Sequence, residues 1–245
     1  MRGGILKYIT SSGERKKKLF ALLIDPDKFD PSIIRVAEKA GTDIFLVGGS
    51  LITNGNFESC IVSLKKKSRI PVLIFPGNSM QVSKHADGIL FLSLISGRNP
   101  DMLIGNHVLA APVLKHSDLE IIPAGYMLID GGTVSSAAYM SHTLPIPSGK
   151  SDIALATAMA GEMLGLKLIY LEAGSGAKIP VSSEMIKAVK KNISLPVMVG
   201  GGIRSAADAR KACAAGADVV VVGNAAEKDP SLISSIAKAI HSAIV

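Results

Sequence analysis

Glycine-rich turns follow two strand-like runs near the end of the chain. The run 195–199 ends in a glycine triplet at 200–202, and the valine run Val219–Val222 ends in Gly223 and Asn224. Because glycine has no Cβ, the backbone N–H groups of such turns can approach an anion closely. The alternative is that these glycines only make tight strand-to-helix turns. The pattern favours a site for a phosphorylated ligand and does not identify a reaction.

A glutamate stands at the end of another apolar run. Glu172 follows LKLIYL and precedes Ala-Gly-Ser-Gly, a sequence suited to wrapping a polar ligand. A carboxylate directed into apolar surroundings is costly unless it binds a substrate or carries a proton. Glu172 is therefore a candidate general base. A salt bridge to a neighbouring loop is the alternative.

Two further polar residues end the first two strand-like runs. Asp25 lies in LIDPDK at 23–28, and Ser50 closes VGGS at 47–50. A carboxylate beside a hydroxyl suits Mg²⁺, which takes one or two carboxylates and completes its shell with water and substrate phosphate. We predict Asp25 and Ser50 as magnesium ligands. A loop-organising hydrogen bond for Asp25 and a turn hydroxyl for Ser50 are the alternatives.

The histidines and cysteines give no comparable signal. Neither Cys60 nor Cys213 has a CxxC partner or a nearby histidine, so a disulfide framework and a Cys/His metal site are not expected. The histidines lack ligand spacing and are assigned surface or structural roles. They are His85, His107, His116, His142 and His241.

Eight mostly continuous apolar runs alternate with helical segments and must position these residues. The runs are 19–24, 43–47, 72–75, 88–92, 121–129, 168–171, 196–199 and 219–222. Such runs are typical of parallel strands buried on both faces. We predict one α/β domain over 1–245, a (β/α)₈ TIM barrel whose third helix, at 79–87, is modified or shortened. Active sites of this fold lie at the strand C-termini, with phosphate usually bound after strands 7 and 8.

Composition supports that prediction and excludes several functions. The chain has 245 residues, close to the ~250 typical of the barrel. Its net charge of +7 comes partly from clusters at 15–18, 65–67 and 187–191, which map to the face opposite the catalytic loops. Pairing with helix dipoles and solubility is the favoured reading of these clusters, with contact to anionic membrane lipid as the alternative. No nucleic-acid motif and no apolar signal or membrane segment is found, so a cytoplasmic protein is expected.

The ordered set of motifs resembles the geranylgeranylglyceryl phosphate synthase family, which includes the bacterial PcrB-like enzymes. The motifs are LIDPDK, VGGS, FPGN, SGRNP, YLEAGSG, VGGGIR and VGN. The resemblance implies Mg²⁺-dependent transfer of a prenyl group from an allylic polyprenyl diphosphate, geranylgeranyl diphosphate being favoured, to the sn-3 hydroxyl of sn-glycerol 1-phosphate. This is the first ether bond of archaeal-type phospholipids.

The resemblance also implies residue roles. Asp25 and Ser50 match the metal positions, and Glu172 would accept the hydroxyl proton. Lys28 and Arg98 are further basic candidates. The glycerol phosphate site would comprise Tyr170, Leu171, Glu172, Ala173, Gly174, Ser175, Gly176, Gly201, Gly202, Gly223 and Asn224. The metal and phosphate sites are expected on opposite sides of the barrel mouth.

The resemblance leaves other properties open. The prenyl length and the groove residues are not identified, although the third-helix region is a candidate opening. A homo-oligomer is expected, with a hexamer favoured over a dimer, the loop 131–150 in an interface and Tyr139 as a contact. Two rivals remain, namely a phosphate-binding barrel isomerase or aldolase and a non-catalytic phosphate-binding barrel.

Overall fold

The computed structural model describes residues 4–54 and 56–243, in which eight parallel strands close into a barrel in chain order. The predicted (β/α)₈ barrel is confirmed. The strands are β1 Leu19–Ile24, β2 Ile44–Val47, β3 Val72–Ile74, β4 Gly88–Leu94, β5 Glu120–Leu128, β6 Leu168–Glu172, β7 Val197–Gly200 and β8 Val219–Val222. The helices are α1 Ile5–Glu14, α2 Ser32–Ala40, α3 Phe57–Lys67, α4 Asn106–Lys115, α5 Ser136–Ser141, α6 Ser151–Met163, α7 Ser183–Asn192, α8 Ala206–Ala215, α9 Asn224–Lys228 and α10 Leu232–His241.

Alternation along the strands builds two core layers. In β8, Val219 and Val221 pack inside the barrel, whereas Val220 and Val222 pack between the sheet and the helices. Successive strand side chains point to opposite faces, so a run apolar at every position can fill both layers. This is why the strands read as continuous apolar runs. No helix in the described part of the chain combines the length and apolar character needed to cross a bilayer.

Helix α1 packs against the interior of the barrel, and the sequence pattern did not predict it. Ile5 and Ile9 are buried in the inner core layer. At the start of α1, the carboxylate of Glu120 accepts hydrogen bonds from the N–H groups of Ile5 and Leu6. These N–H groups have no partner within a helix, so Glu120 fixes the helix to the start of β5.

The segment between β3 and β4 contains no helix among the described residues, as the shortened third helix predicts. The chain instead turns back over the barrel mouth and is held by the buried side chain of Gln81. Its Oε1 accepts from the Gly77 N–H at 3.0 Å, and its Nε2 donates to the Gly49 carbonyl at 2.9 Å. This amide joins the loops after β2 and β3. Because the described residues between β3 and β4 form no helix, one side of the barrel has no covering helix.

The lysine clusters include partners of buried acids. Lys190 Nζ lies 2.6 Å from one carboxylate oxygen of Asp218, and the buried Lys18 Nζ lies 3.5 Å from the other. Lys65 pairs with the half-buried Asp87 at 2.6 Å. Pairing with specific aspartates at the starts of strands therefore explains these three lysines better than helix dipoles do.

Asp43 joins three elements at the same end of the barrel. Its Oδ1 accepts from the Tyr8 hydroxyl at 2.7 Å, and its Oδ2 accepts from the Phe20 N–H at 2.8 Å and lies 2.8 Å from His241 Nε2. The hydrogen bond with Asp43 raises the pKa of His241. The terminal helix α10 is thereby fixed to α1 and β2.

His241→Ala is expected to lower the melting temperature more at pH 6 than at pH 9. A histidine whose pKa is raised by folding stabilises fully below the unfolded pKa, about 6.5, and loses that contribution as pH rises through the folded pKa. The side chain of His241 is 37% exposed, so the effect should stay within about 1 kcal/mol. Thermal denaturation across this pH range measures it, with His116→Ala as control because, among the described residues, the His116 ring contacts the Pro112 carbonyl and no carboxylate. An equal loss at both pH values would contradict the ion pair.

Candidate active site

A cavity of about 660 Å³ lies at the C-terminal ends of the strands. Most of the residues predicted from the sequence line it together, from the turns after β1, β2, β6, β7 and β8. They are Asp25, Ser50, Glu172, Gly174, Ser175, Gly176, Gly201, Gly202, Gly223 and Asn224. The side chains of Leu171 and Ala173 instead pack in the outer core layer, and Tyr170 packs inside the barrel. A contact of Leu171 or Ala173 with a ligand would therefore have to come from the backbone.

The glycine turn after β7 leaves no room for a side chain at Gly201. Gly201 has φ +78°, and a Cβ built there would lie 2.5 Å from Glu172 Oε1 and 2.6 Å from the Gly174 nitrogen. Only glycine fits this backbone, because a side chain would meet both strain and a steric clash. The turn after β8 is tied to the turn after β6, since Ser175 Oγ donates to Asn224 Oδ1 at 3.0 Å. The three turns thus form one polar cradle.

Glu172 is buried at the floor of this cradle. Its Oε1 accepts from the Gly174 N–H at 2.8 Å. A Cβ at Gly200 would lie 2.6 Å from both Glu172 Oε2 and the Tyr170 hydroxyl, which places these two groups side by side. Within the described residues that hydroxyl makes no hydrogen bond of normal geometry. Burial raises the pKa of Glu172, whereas the contacts with Tyr170 and Gly174 lower it. A carboxylate whose pKa is raised by burial accepts a proton more readily than an exposed one does.

Asp25 lies across the same cavity and forms two kinds of contact. Its Oδ1 accepts from the Asp27 N–H at 3.1 Å, which caps the 3₁₀ turn Pro26–Lys28. Its Oδ2 pairs with Lys28 Nζ at 2.7 Å. Asp25 therefore organises a loop, as the alternative held, and also presents a charge to the cavity.

The loop after β1 that carries Asp25 and the glycine turn after β8 are neighbours, so the predicted metal and phosphate sites do not lie on opposite sides of the mouth as expected. Strand β1 pairs directly with β8 because the barrel closes between them. Lys28 Nζ also lies 3.4 Å from Oε2 of Glu227, in α9, which starts at Asn224 of the polar cradle. An ion-pair chain therefore connects the two regions.

A mainly apolar pocket adjoins the cavity on the side where the described residues between β3 and β4 form no helix. Ser50, Phe75 and Tyr126 line both spaces. The rings of Phe75, Tyr126 and Tyr170 pack on one another with centroids 5.4–5.6 Å apart. Further along, the walls are formed by Val82, Ile89, Leu92, Met102, Ala110 and Leu114. The pocket offers room for an apolar chain whose polar end would reach the cavity.

His107 forms part of the wall of this pocket rather than of the surface. Its Nε2 lies 3.2 Å from Ser93 Oγ, and its ring packs edge-on against Phe91. Burial lowers the pKa of His107, so the imidazole stays neutral at physiological pH. A neutral ring can line an apolar wall at much lower cost than a charged one.

Other polar contacts of the site had no sequence signal. The carboxylate of Asp27 accepts from the N–H and hydroxyl of Thr53 and from the N–H of Asn54, and so fixes the loop after β2. Glu227 reaches Lys28 across 199 positions. Arg98 bonds carbonyls of its own loop and lies outside the described cavity lining. Sequence periodicity reports only local structure, so it cannot indicate contacts between residues this far apart in the chain.

Known proteins are similar to this chain over nearly its whole length. Geranylgeranylglyceryl phosphate synthase of Chitinophaga pinensis is 52% identical over 230 residues, covering 92% of this chain and 91% of its own. The enzyme of that name from Pyrococcus horikoshii is 42% identical, covering 94% and 91%.

A solved structure agrees with these relatives. The (S)-3-O-geranylgeranylglyceryl phosphate synthase of Thermoplasma acidophilum, in complex with its substrate sn-glycerol-1-phosphate, superposes with a TM-score of 0.92 at 34% identity. The match covers 97% of this chain and 98% of that one. The sequence model of the PcrB family matches residues 13–241, and the chain belongs to that family.

Proposed function

We propose that this prenyltransferase joins an allylic polyprenyl diphosphate to the sn-3 hydroxyl of sn-glycerol 1-phosphate, with geranylgeranyl diphosphate as the favoured donor. The observation that carries the proposal is the glycine cradle with Glu172 at its floor, in a chain that superposes on the T. acidophilum enzyme solved with sn-glycerol-1-phosphate. Family membership counts against the isomerase, aldolase and non-catalytic alternatives.

The three glycine turns would hold the phosphate of sn-glycerol 1-phosphate. Backbone N–H groups at glycines can approach an anion without steric hindrance. The hydrogen bond between Ser175 and Asn224 keeps two of the turns in register. With the phosphate fixed there, the glycerol hydroxyls would extend toward Glu172, so only one enantiomer would present its terminal hydroxyl to the carboxylate.

Glu172 would act as the general base. As the C–O bond of the allylic diphosphate breaks, the diphosphate leaves with the electron pair and the sn-3 oxygen bonds to the allylic carbon. The hydroxyl proton passes to Glu172, a role usually worth about 10²–10⁴-fold in rate. The apolar pocket would hold the prenyl tail and keep water away from the allylic carbon.

The residues at the cavity edge fit a magnesium ion. Asp25 would supply one carboxylate and Ser50 one hydroxyl, since both line the cavity in which the diphosphate would lie. A donor set of this size is what Mg²⁺ uses when phosphate oxygens complete its shell. When bound, the ion would supply positive charge against the departing diphosphate.

The proposal is tested by incubating the protein with sn-glycerol 1-phosphate, Mg²⁺ and polyprenyl diphosphates of several lengths. We expect an ether-linked product identified by mass spectrometry. We also expect kcat/KM for sn-glycerol 3-phosphate to be lower by about 100-fold or more, because its hydroxyl is misoriented for Glu172. Absence of product at every length would remove the proposal, and equal kcat/KM for the enantiomers would remove the orientation argument.

We also propose a symmetric oligomer, a hexamer rather than a dimer, with the loop 131–150 in an interface. Support comes from the exposure of its large apolar side chains Val134, Tyr139 and Leu144, which are 84%, 74% and 88% exposed. Light scattering should show a species several times the 25.5 kDa of one chain. Tyr139→Ala should shift it to a smaller species, and a monomeric wild-type protein would refute the proposal.

A further inference from the structure

We propose that Lys28 is a shared cation of this site. It neutralises Asp25 when no metal ion is bound there, and it stays with Glu227 and binds the diphosphate when Asp25 holds a divalent cation. This inference rests on the proposed function, since it concerns the same leaving group. It adds roles for Lys28 and Glu227 as a pair.

The position of Lys28 between two acids carries the inference. Its Nζ lies 2.7 Å from Asp25 Oδ2 and 3.4 Å from Glu227 Oε2. All three residues line the cavity. The Lys28 side chain is 55% exposed, so it can move, whereas Asp25 and Glu227 are 25% and 16% exposed. An ammonium group has three N–H donors, so one remains for a third acceptor.

Glu227 provides the position to which Lys28 can withdraw. It lies in α9, one turn after the residues of the polar cradle, and Lys28 is its ion-pair partner among the described residues. A carboxylate so little exposed needs a cation nearby. When Asp25 turns its oxygen to a metal ion, the attraction of Glu227 keeps the ammonium at the cavity edge. There it faces the oxygens of a bound diphosphate.

If the ion pair between Lys28 and Glu227 has only a structural role, a different result is expected. If Lys28 only ties the 3₁₀ turn after β1 to α9, removing either partner loosens the same contact. Both variants should then lose stability and metal binding alike. If Lys28 is shared, the two variants should change the affinity for Mg²⁺ in opposite directions, since one frees Asp25 and the other leaves Lys28 with Asp25 alone.

The experiment uses calorimetric titration of the purified full chain and its variants Lys28→Gln and Glu227→Gln. Mg²⁺ is titrated alone, and inorganic pyrophosphate is then titrated at saturating Mg²⁺. For Lys28→Gln we expect Mg²⁺ to bind about threefold tighter and pyrophosphate about tenfold weaker, as for the loss of one charge-assisted hydrogen bond. For Glu227→Gln we expect Mg²⁺ to bind about threefold weaker, because Lys28 competes for Asp25 unopposed.

Lys39→Gln and Glu38→Gln are the matched controls. They make the same two substitutions at exposed positions of α2 that are outside the cavity lining and are not among the described ion pairs. Weaker Mg²⁺ binding in both Lys28→Gln and Glu227→Gln would overturn the inference. So would shifts no larger than those of the controls, or a wild-type protein that binds no Mg²⁺ even with pyrophosphate.

These titrations do not measure ether formation. Opposite shifts in a protein that forms no ether would therefore leave the role of Lys28 standing and reject the proposed reaction. Ether formation without the opposite shifts would reject the role of Lys28 alone.

Discussion

Glu172→Gln is expected to lower kcat at least about 100-fold, the smaller effect for a lost general base, without lowering the melting temperature. Glutamine has the size of glutamate, and its Oε1 can still accept from the Gly174 N–H, which now bonds Glu172 Oε1 at 2.8 Å. The variant therefore keeps the shape of the cradle and loses only the ability to take a proton. Affinity for sn-glycerol 1-phosphate should change much less than kcat.

The pH dependence of stability gives the same variant a second test. Burial raises the pKa of Glu172 in the folded chain. A carboxyl group with a raised folded pKa binds more protons when native, so its ionisation costs stability as pH rises from the unfolded value through the folded one. Glutamine does not ionise. The melting temperature of the variant relative to wild type should thus rise with pH across this window.

Glu162→Gln is the control, because Glu162 is a partly exposed carboxylate that bonds Ser194 outside the cavity. Its kcat should equal that of the wild type. Near-normal turnover of Glu172→Gln would rule out the base role. A melting temperature lowered equally at all pH values would show that the carboxylate is needed for folding.

The barrel was predictable from the sequence because a parallel strand buried on both faces is a continuous run of apolar residues. The valines of β8 are apolar at four successive positions, since two fill the interior and two face the helices. The glycine turns were also predictable, because their backbone conformation requires glycine in the sequence. At Gly201 the backbone has φ +78° beside Glu172, so only glycine fits.

No local sequence pattern indicated the contacts between distant segments. Helix α1 docks through Ile5 and Ile9, but its polar residues hid that short apolar face. The pairing of Lys28 with Glu227 depends on barrel closure between β1 and β8. Closure of the barrel makes the first and last strands neighbours, so the two regions adjoin instead of facing each other across the mouth.

The sequence predicted where the apolar pocket opens but not which residues form its walls. A segment too short for a third helix indicated an opening, but the walls come from β4, α4 and the loop after β3. His107 shows the difficulty most clearly. A histidine in a helical run suggests a surface position, and only the packing against Phe91 and the contact with Ser93 make it a wall residue.

Asp25→Asn is expected to lower kcat/KM at limiting Mg²⁺ by about 100-fold or more, the scale for losing a group that neutralises transition-state charge. Asparagine keeps an Oδ1 acceptor for the Asp27 N–H, so the 3₁₀ turn should persist. The ion pair with Lys28 is lost, but Lys28 is 55% exposed, so the variant should lose no more than about 1 kcal/mol of stability. Higher Mg²⁺ should restore part of the activity.

Asp27→Asn separates this metal role from loop organisation. The Asp27 carboxylate accepts three hydrogen bonds from Thr53 and Asn54, so its replacement should lower the melting temperature by loosening the loop that carries Ser50. Asp25→Asn should instead change the Mg²⁺ requirement with little change in melting temperature. Its affinity for sn-glycerol 1-phosphate should also change little, because the proposed contacts come from the turns after β6, β7 and β8. If Asp25→Asn melts earlier and keeps the wild-type Mg²⁺ requirement, Asp25 is a capping residue and the metal ligand must be sought elsewhere.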